Sequence, residues 1–124
     1  MKRGRVAIIV GLIVVVGVAA FALKLYRCNQ RGAAFGRQVE GIKQGAREHL
    51  RVGTKNADVA QFFTERGMSL IIQAGYAYGS IRTSGCAPLG CVSNSAFISV
   101  RVKLDEAGAV AEEPDVSAIY TDCL

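Results

Sequence analysis

Four cysteines are the residues of this sequence with the most distinctive chemistry. Cys86 and Cys91 lie in one short segment, Gly85-Cys-Ala-Pro-Leu-Gly-Cys91, whereas Cys28 and Cys123 lie far from it along the chain. A thioredoxin-type redox pair has two intervening residues at the start of a helix, but this segment has four, in a predicted loop between strands. Zinc would need four thiolates brought together. We therefore predict structural disulfides, with redox catalysis and zinc binding as alternatives.

The order of the predicted strands indicates which cysteines pair. After the Cys86 to Cys91 loop the chain runs along one strand and turns near Gly108. It then returns through a second strand, so that Cys123 comes back to about the level of residue 94. We predict a bond from Cys123 to Cys91, with Cys86 as the second choice. The alternative is a local Cys86–Cys91 bridge, with Cys123 bonded to Cys28 or free.

No other side chains form a recognisable catalytic group. The single histidine, His49, has no second histidine and no cysteine at ligand spacing, so we interpret it as a surface residue. Ser80, Ser84, Ser93 and Ser95 have no identifiable base to activate them. The adjacent carboxylates of the Glu112-Glu113 pair would point to opposite sides of an extended strand, and no glycine-rich phosphate loop leads into a helix. We therefore predict that the protein is not an enzyme and has no cofactor or metal site.

An uncharged apolar stretch runs from Val6 to Leu23. As a helix it would span about 27 Å, close to the hydrocarbon thickness of a bilayer, which is about 30 Å. Lys24, Tyr26 and Arg27 follow, and residues of these types are favoured at headgroup depth. We predict that residues 1–26 form a transmembrane anchor with a basic N-terminus, and that these three side chains lie at the membrane interface.

Two other interpretations of this stretch compete with the anchor. A cleaved signal peptide would use Ala20-Phe21-Ala22 as its cleavage site, but the apolar stretch is longer than usual for one. Lipidation at Cys28 would need small or apolar residues before it, and Tyr26-Arg27 does not supply them. We predict an uncleaved signal-anchor.

The side of the membrane on which the domain lies follows from two opposed signals. Lysines and arginines after the span outnumber those before it, which favours a cytoplasmic domain. However, the short basic N-terminus need not cross the membrane, and four cysteines in so small a domain favour an oxidising compartment. We predict a single-pass protein of the bacterial inner (cytoplasmic) membrane with its C-terminal domain in the periplasm.

The net charge of +5 on 124 residues belongs mostly to the anchor. Lysines and arginines beside the apolar stretch supply four of the five net charges, so the total gives no argument for a nucleic-acid partner. Residues 105–124 contain six acids and no base, whereas the part before them is basic. We interpret this division as solvated faces. The alternative is that the basic helix contacts anionic headgroups while the acidic end faces away or meets a partner.

Two helices are predicted after the anchor. Apolar residues recur at spacings of three and four over Gly32 to Arg51, which indicates one buried stripe; they are Phe35, Val39, Ile42, Ala46 and Leu50. A second helix, capped by Thr54 or Asn56, would bury Val59, Phe62 and Phe63 and end in a Schellman motif at Gly67.

Three strands are predicted to follow. They cover Met68 to Arg82, with a bulge or bend at its glycines, then Ala96 to Leu104, and finally Val116 to Thr121. We predict an α+β fold in which two helices pack on a three-stranded antiparallel meander. Residues 27–36 are expected to form a juxtamembrane linker and residues 37–124 the small α+β domain.

This element order resembles a known type of small domain. Gly53-Thr54 leads into a helix with Val59, Phe62 and Phe63 that ends at Gly67, as in small bacterial envelope domains of the α-α-β-β-β type. The small lipoprotein subunit of the outer-membrane β-barrel assembly machinery is of this type. The resemblance covers Arg37 to Thr121 and implies a binding or scaffolding module without catalysis. The chain departs from it by lacking a lipidation box and by carrying three cysteines in the sheet region.

These observations together predict a membrane-anchored extracytoplasmic binding or assembly module that acts through protein–protein contacts. Its expected partners are the lipid bilayer and an unidentified envelope protein, with no nucleic acid and no small-molecule substrate. The alternative is a membrane-anchored immunity or inhibitor protein directed against an envelope-acting enzyme.

The anchor generates the first testable prediction. Because the apolar stretch is long enough to span a bilayer, residues 1–26 should stay attached and hold the protein in the membrane fraction after alkaline or high-salt washing. Fractionation with N-terminal sequencing checks this. A soluble product that begins at Leu23 would contradict it.

Overall fold

The computed structural model describes residues 2–124, and its elements follow one another as two helices and four strands. These are α1 (Lys2–His49), α2 (Asn56–Glu65), β1 (Ser69–Gln73), β2 (Tyr76–Ser84), β3 (Ser95–Lys103) and β4 (Asp115–Tyr120). The strands form one antiparallel sheet in the order β1-β2-β3-β4. The predicted α+β class and antiparallel meander are confirmed, but the described residues contain two helices rather than three, and four strands rather than three.

The helix count differs because α1 is continuous. The anchor and the first domain helix were expected to be separate, but α1 runs without a break from Lys2 to His49, so residues 27–36 are helical. This segment contains no proline, and its glycines are tolerated because the helix packs on the sheet here. Gly32, for example, lies so close to Cys86 that a Cβ atom on the glycine would be 3.3 Å from the cysteine Cβ.

The strand count differs because the segment predicted as one strand is a hairpin. Ala74 and Gly75 have φ angles of 52° and 78° and form the two-residue turn between β1 and β2. Positive φ at both central residues is typical of a type I′ turn, whose twist suits paired antiparallel strands. The glycine that was expected to mark a bulge therefore reverses the chain.

The core lies between the two helices and one face of the sheet. The predicted apolar stripe of α1 faces this core. Phe35 and Val39 are partly buried, and Ile42, Ala46 and Leu50 are buried. The predicted face of α2 is buried as expected. The buried apolar side chains of the helices and of β3 are Ile42, Ala46, Leu50, Val59, Phe62, Phe63, Ala96, Ile98, Val100 and Val102.

The ends of α2 agree only in part with expectation. Lys55 occupies the N-cap position without a side-chain hydrogen bond, so the predicted cap by Thr54 or Asn56 is wrong. The Thr54 hydroxyl instead lies 3.4 Å from the carbonyl oxygen of His49. At the other end the Schellman motif is confirmed, since the Met68 N–H donates to the Phe63 carbonyl at 2.9 Å and Gly67 has a φ of 65°.

A close helix-to-sheet contact joins Phe63 of α2 to Gly79 of β2. The phenylalanine is fully buried, and its ring lies where a side chain at position 79 would be. A Cβ atom built on Gly79 would be 2.2 Å from the Phe63 Cδ1 atom. The absence of a side chain at this position lets the aromatic ring approach the strand.

This contact generates the second prediction. Phe63→Ala should lower the free energy of unfolding by about 3–5 kcal/mol because it leaves a cavity. Gly79→Ala should lower it by about 1–3 kcal/mol because the new methyl group meets the ring. Denaturant titration of the full chain in detergent, followed by circular dichroism, measures both changes.

Gly36→Ala is the matched control for Gly79→Ala. No atom lies within 4 Å of the position that its Cβ would take, so this variant should be as stable as the parent or slightly more stable. If Gly79→Ala were as stable as this control, the contact between the Phe63 ring and Gly79 would be contradicted.

Candidate functional site

The first half of α1 is suited to the membrane. It contains the one helical segment of residues 2–124 that is long and apolar enough to cross a bilayer, with a mean hydropathy of 3.1 over its most apolar window. None of that window is buried against the rest of the protein. The predicted interface residues Lys24, Tyr26 and Arg27 lie exposed on the same helix. This single N-terminal apolar helix fits a single-pass membrane protein.

Two disulfides hold the loop between β2 and β3. Cys91 is bonded to Cys123, which is the pair that the strand register predicts. Cys86 is bonded to Cys28 of α1, a pair that the sequence interpretation did not include. All four cysteines are thus in disulfides, which suggests an oxidising, extracytoplasmic environment for the domain.

The Cys28–Cys86 bond was missed because residue 28 was assigned to a linker. A signal for it exists in the sequence: Cys28, Gly32 and Phe35 continue the apolar stripe of α1 backwards at spacings of four and three. Extending the stripe would have placed Cys28 on the face that meets the sheet.

Aromatic packing surrounds the point at which the loop leaves the sheet. The rings of Phe35 and Tyr120 have centroids 5.4 Å apart, and both lie over Gly85, which is buried. The Tyr120 hydroxyl donates a hydrogen bond to the carbonyl oxygen of Cys86 at 3.1 Å. The start of the loop is therefore fixed to α1 and β4 by packing as well as by the disulfides.

The residues considered for catalysis do not converge. His49 is exposed at the end of α1, with its ring centroid 6.4 Å from that of Phe62. It lines a shallow groove of about 650 Å³ between α1 and α2, together with Glu48 and Asp58. The serines are dispersed: Ser93 hydrogen-bonds to Asp122, while Ser80, Ser84 and Ser95 lie along β2 and β3.

The acidic end of the chain is partly neutralised by the basic part. Glu113 forms an ion pair with Arg47 at 3.4 Å, and Asp115 forms one with Arg101 at 3.4 Å. The Lys103 ammonium donates to the Glu112 carboxylate at 2.5 Å, and this hydrogen bond and the carboxylate's charge raise the pKa of the lysine. Three of the six acidic residues in this part therefore have basic partners within the domain.

The sheet face opposite the helices carries a row of four serines. Ser69, Ser80, Ser99 and Ser117 come from the four strands and are paired in register. The hydroxyl oxygens of Ser69 and Ser80 are 3.1 Å apart, and those of Ser99 and Ser117 are 2.8 Å apart. The row crosses the middle of the uncovered face, and no pattern within one strand could have shown it.

Apolar and aromatic side chains flank the serine row. Ile71 of β1 and Ile119 of β4 are 60% and 61% exposed, and Tyr78 is 41% exposed. The guanidinium of Arg82 lies 5.3 Å from the centroid of the Phe97 ring, and Arg101 lies in the same way over Tyr76. These residues and the serine row lie on the same uncovered surface of the sheet. We call this surface the open face.

Comparisons with known proteins found no match: no family model, no curated protein and no solved structure matches the chain. The resemblance to α-α-β-β-β envelope domains therefore stays a prediction.

The disulfides generate the third prediction. Peptide mapping without reduction should recover Cys28–Cys86 and Cys91–Cys123 as the linked pairs. Replacing Cys28 and Cys86 together by serine should destabilise the domain by about 4 kcal/mol, since that bond closes the longer loop.

A dominant Cys86–Cys91 peptide would contradict this connectivity. Four alkylatable thiols in freshly isolated protein would contradict the extracytoplasmic placement as well.

Proposed function

We propose that the protein is a membrane-anchored binding module that acts through protein–protein contacts on the extracytoplasmic side of the bacterial inner membrane. The observation that carries this proposal is the open face of the sheet. Both helices pack on the opposite face, so the four strands present a surface that no element of residues 2–124 covers.

The composition of the open face is that of a protein-binding surface. Exposed isoleucines lie near both edges, tyrosines and a phenylalanine lie between them, and serines supply hydroxyl groups across the middle. Aromatic residues and arginine are enriched where proteins contact each other, because they bury a large area while retaining a polar group. An exposed group of this kind favours a binding role.

The charges on this face indicate the chemistry of the partner. Arg101 and Lys103 are paired with carboxylates of the chain itself, whereas Arg82 has only the Phe97 ring beside it among the ion pairs and ring contacts of the described residues. A partner surface with apolar side chains would cover the exposed apolar groups of the open face, and a carboxylate on that surface would pair with Arg82.

The connection between the domain and the membrane segment supports the same proposal. A continuous helix and the Cys28–Cys86 bond hold the sheet in one orientation relative to the membrane span. A module that assembles with other envelope proteins benefits from such fixed presentation, because less orientational freedom is lost when it binds.

Site-specific photo-crosslinking in intact cells gives the fourth prediction. A photoreactive residue in place of Ile119 on the open face should form an adduct with one protein of the cell envelope. The same residue in place of Gln61, which is exposed on α2, should form none. The identity of the captured protein then distinguishes assembly from inhibition of an envelope enzyme.

A second substitution makes this test specific. Ile71→Asp on the opposite edge of the open face should abolish the Ile119 adduct, whereas Gln61→Asp should leave it unchanged. Equal amounts of each variant in the membrane, with both disulfides formed, exclude misfolding as the cause. Equal amounts of adduct from the photoreactive residue at positions 119 and 61 would overturn the proposal. Persistence of the position 119 adduct in the Ile71→Asp variant would also overturn it.

A further inference from the structure

The loop between β2 and β3 carries large apolar side chains that nothing in the domain covers. Leu89 is 105% exposed and Val92 is 86% exposed. The segment from Ser84 to Asn94 contains no charged residue. Exposed apolar side chains held together on an uncharged loop indicate a contact surface, and the position of the loop identifies what it contacts.

The loop lies at the end of the domain that is nearest to the membrane span. Cys86 is bonded to Cys28, which follows the last residue of the uncharged apolar stretch, Leu23, by five positions. Five residues of helix correspond to about 7.5 Å along the helix axis. The start of the loop is therefore tied to α1 at the height of the lipid headgroups.

The side of α1 that faces the loop extends into the apolar segment. Asn94 at the end of the loop and the facing side of α1 line an open cavity of about 340 Å³. The helix residues that line this cavity are Ala20, Leu23, Lys24, Arg27, Cys28 and Arg31. The first of these residues are apolar and belong to the span, and the later ones are mostly basic. Acyl chains and anionic headgroups follow each other in the same order in a lipid leaflet.

We propose that the loop is a second membrane contact, which inserts Leu89 and Val92 into the interfacial region of the leaflet beside α1. The two disulfides make this contact effective. Cys28–Cys86 joins the start of the loop to α1, and Cys91–Cys123 joins its later part to the chain just after β4, so the loop has little conformational freedom to lose on insertion. Lys24, Arg27 and Arg31 lie where they contact the phosphates of the surrounding lipids. This contact does not depend on the protein partner proposed above.

The absence of tryptophan from the sequence allows a direct test. The full chain, with Leu89→Trp or Val92→Trp, is reconstituted into vesicles of phosphatidylcholine and phosphatidylglycerol. Ala107→Trp is the control, because Ala107 is exposed in the turn beyond β3, at the other end of the sheet. Nine residues of strand separate the two ends, a distance of about 30 Å.

Insertion predicts that the Leu89→Trp and Val92→Trp variants fluoresce at shorter wavelength than the control. Replacing the phosphatidylcholine by its acyl-brominated form should remove most of their emission, while acrylamide in the water should quench chiefly the Ala107→Trp variant. Emission from the loop positions that matches the control in wavelength and quenching would overturn the proposal. A blue shift that brominated lipid does not quench would also overturn it, because the indole would then lie against protein.

Discussion

The packing of the second half of α1 on the sheet is the interaction on which the rest of the structure depends. One helix supplies both the apolar membrane segment and the side chains of Val39, Ile42 and Ala46 that close one side of the core. Because the helix does not break between these two parts, the position of the domain relative to the membrane is set by the same contacts that fold it. The Cys28–Cys86 bond adds a covalent constraint at the lower end of this packing.

The other features of the domain follow from where this helix lies. With α1 beside β2 and β4, α2 covers the remaining part of the inner face, and the absence of a side chain at Gly79 lets Phe63 come close enough to do so. Phe35 and Tyr120 fill the membrane-proximal end of the inner face above Gly85. The large apolar side chains of α2 and of the second half of α1 pack on this side. The outer side of the sheet is therefore left uncovered.

Local patterns in the sequence predicted the elements whose shape depends on near neighbours in the chain. The α2 face with Val59, Phe62 and Phe63 and the Schellman motif after it were predicted because periodicity and a glycine at the stop are local signals. The β1–β2 hairpin was missed because Ala74-Gly75 is a weaker turn signal than Asn-Gly or Asp-Gly.

Features that depend on distant parts of the chain were harder to predict. The Cys91–Cys123 pair followed from strand direction, but Cys28–Cys86 depends on a helix that continues through residues 27–36, which the sequence interpretation assigns to a linker. The serine row and the open face arise only when four registers are known together. No one strand contains enough information to specify such a surface.

The unbroken α1 also restricts the space in which the domain meets other molecules. A domain on a flexible tether samples a hemisphere above the membrane, whereas a domain on a continuous helix that spans the bilayer would keep one orientation relative to the membrane plane. For the envelope protein proposed above as a partner, encounters within the membrane would be two-dimensional, and a weaker binding surface would then be sufficient. The continuous helix also sets the distance between the apolar segment and the open face, so the proposed partner would have to present its complementary site at that same distance from the lipid.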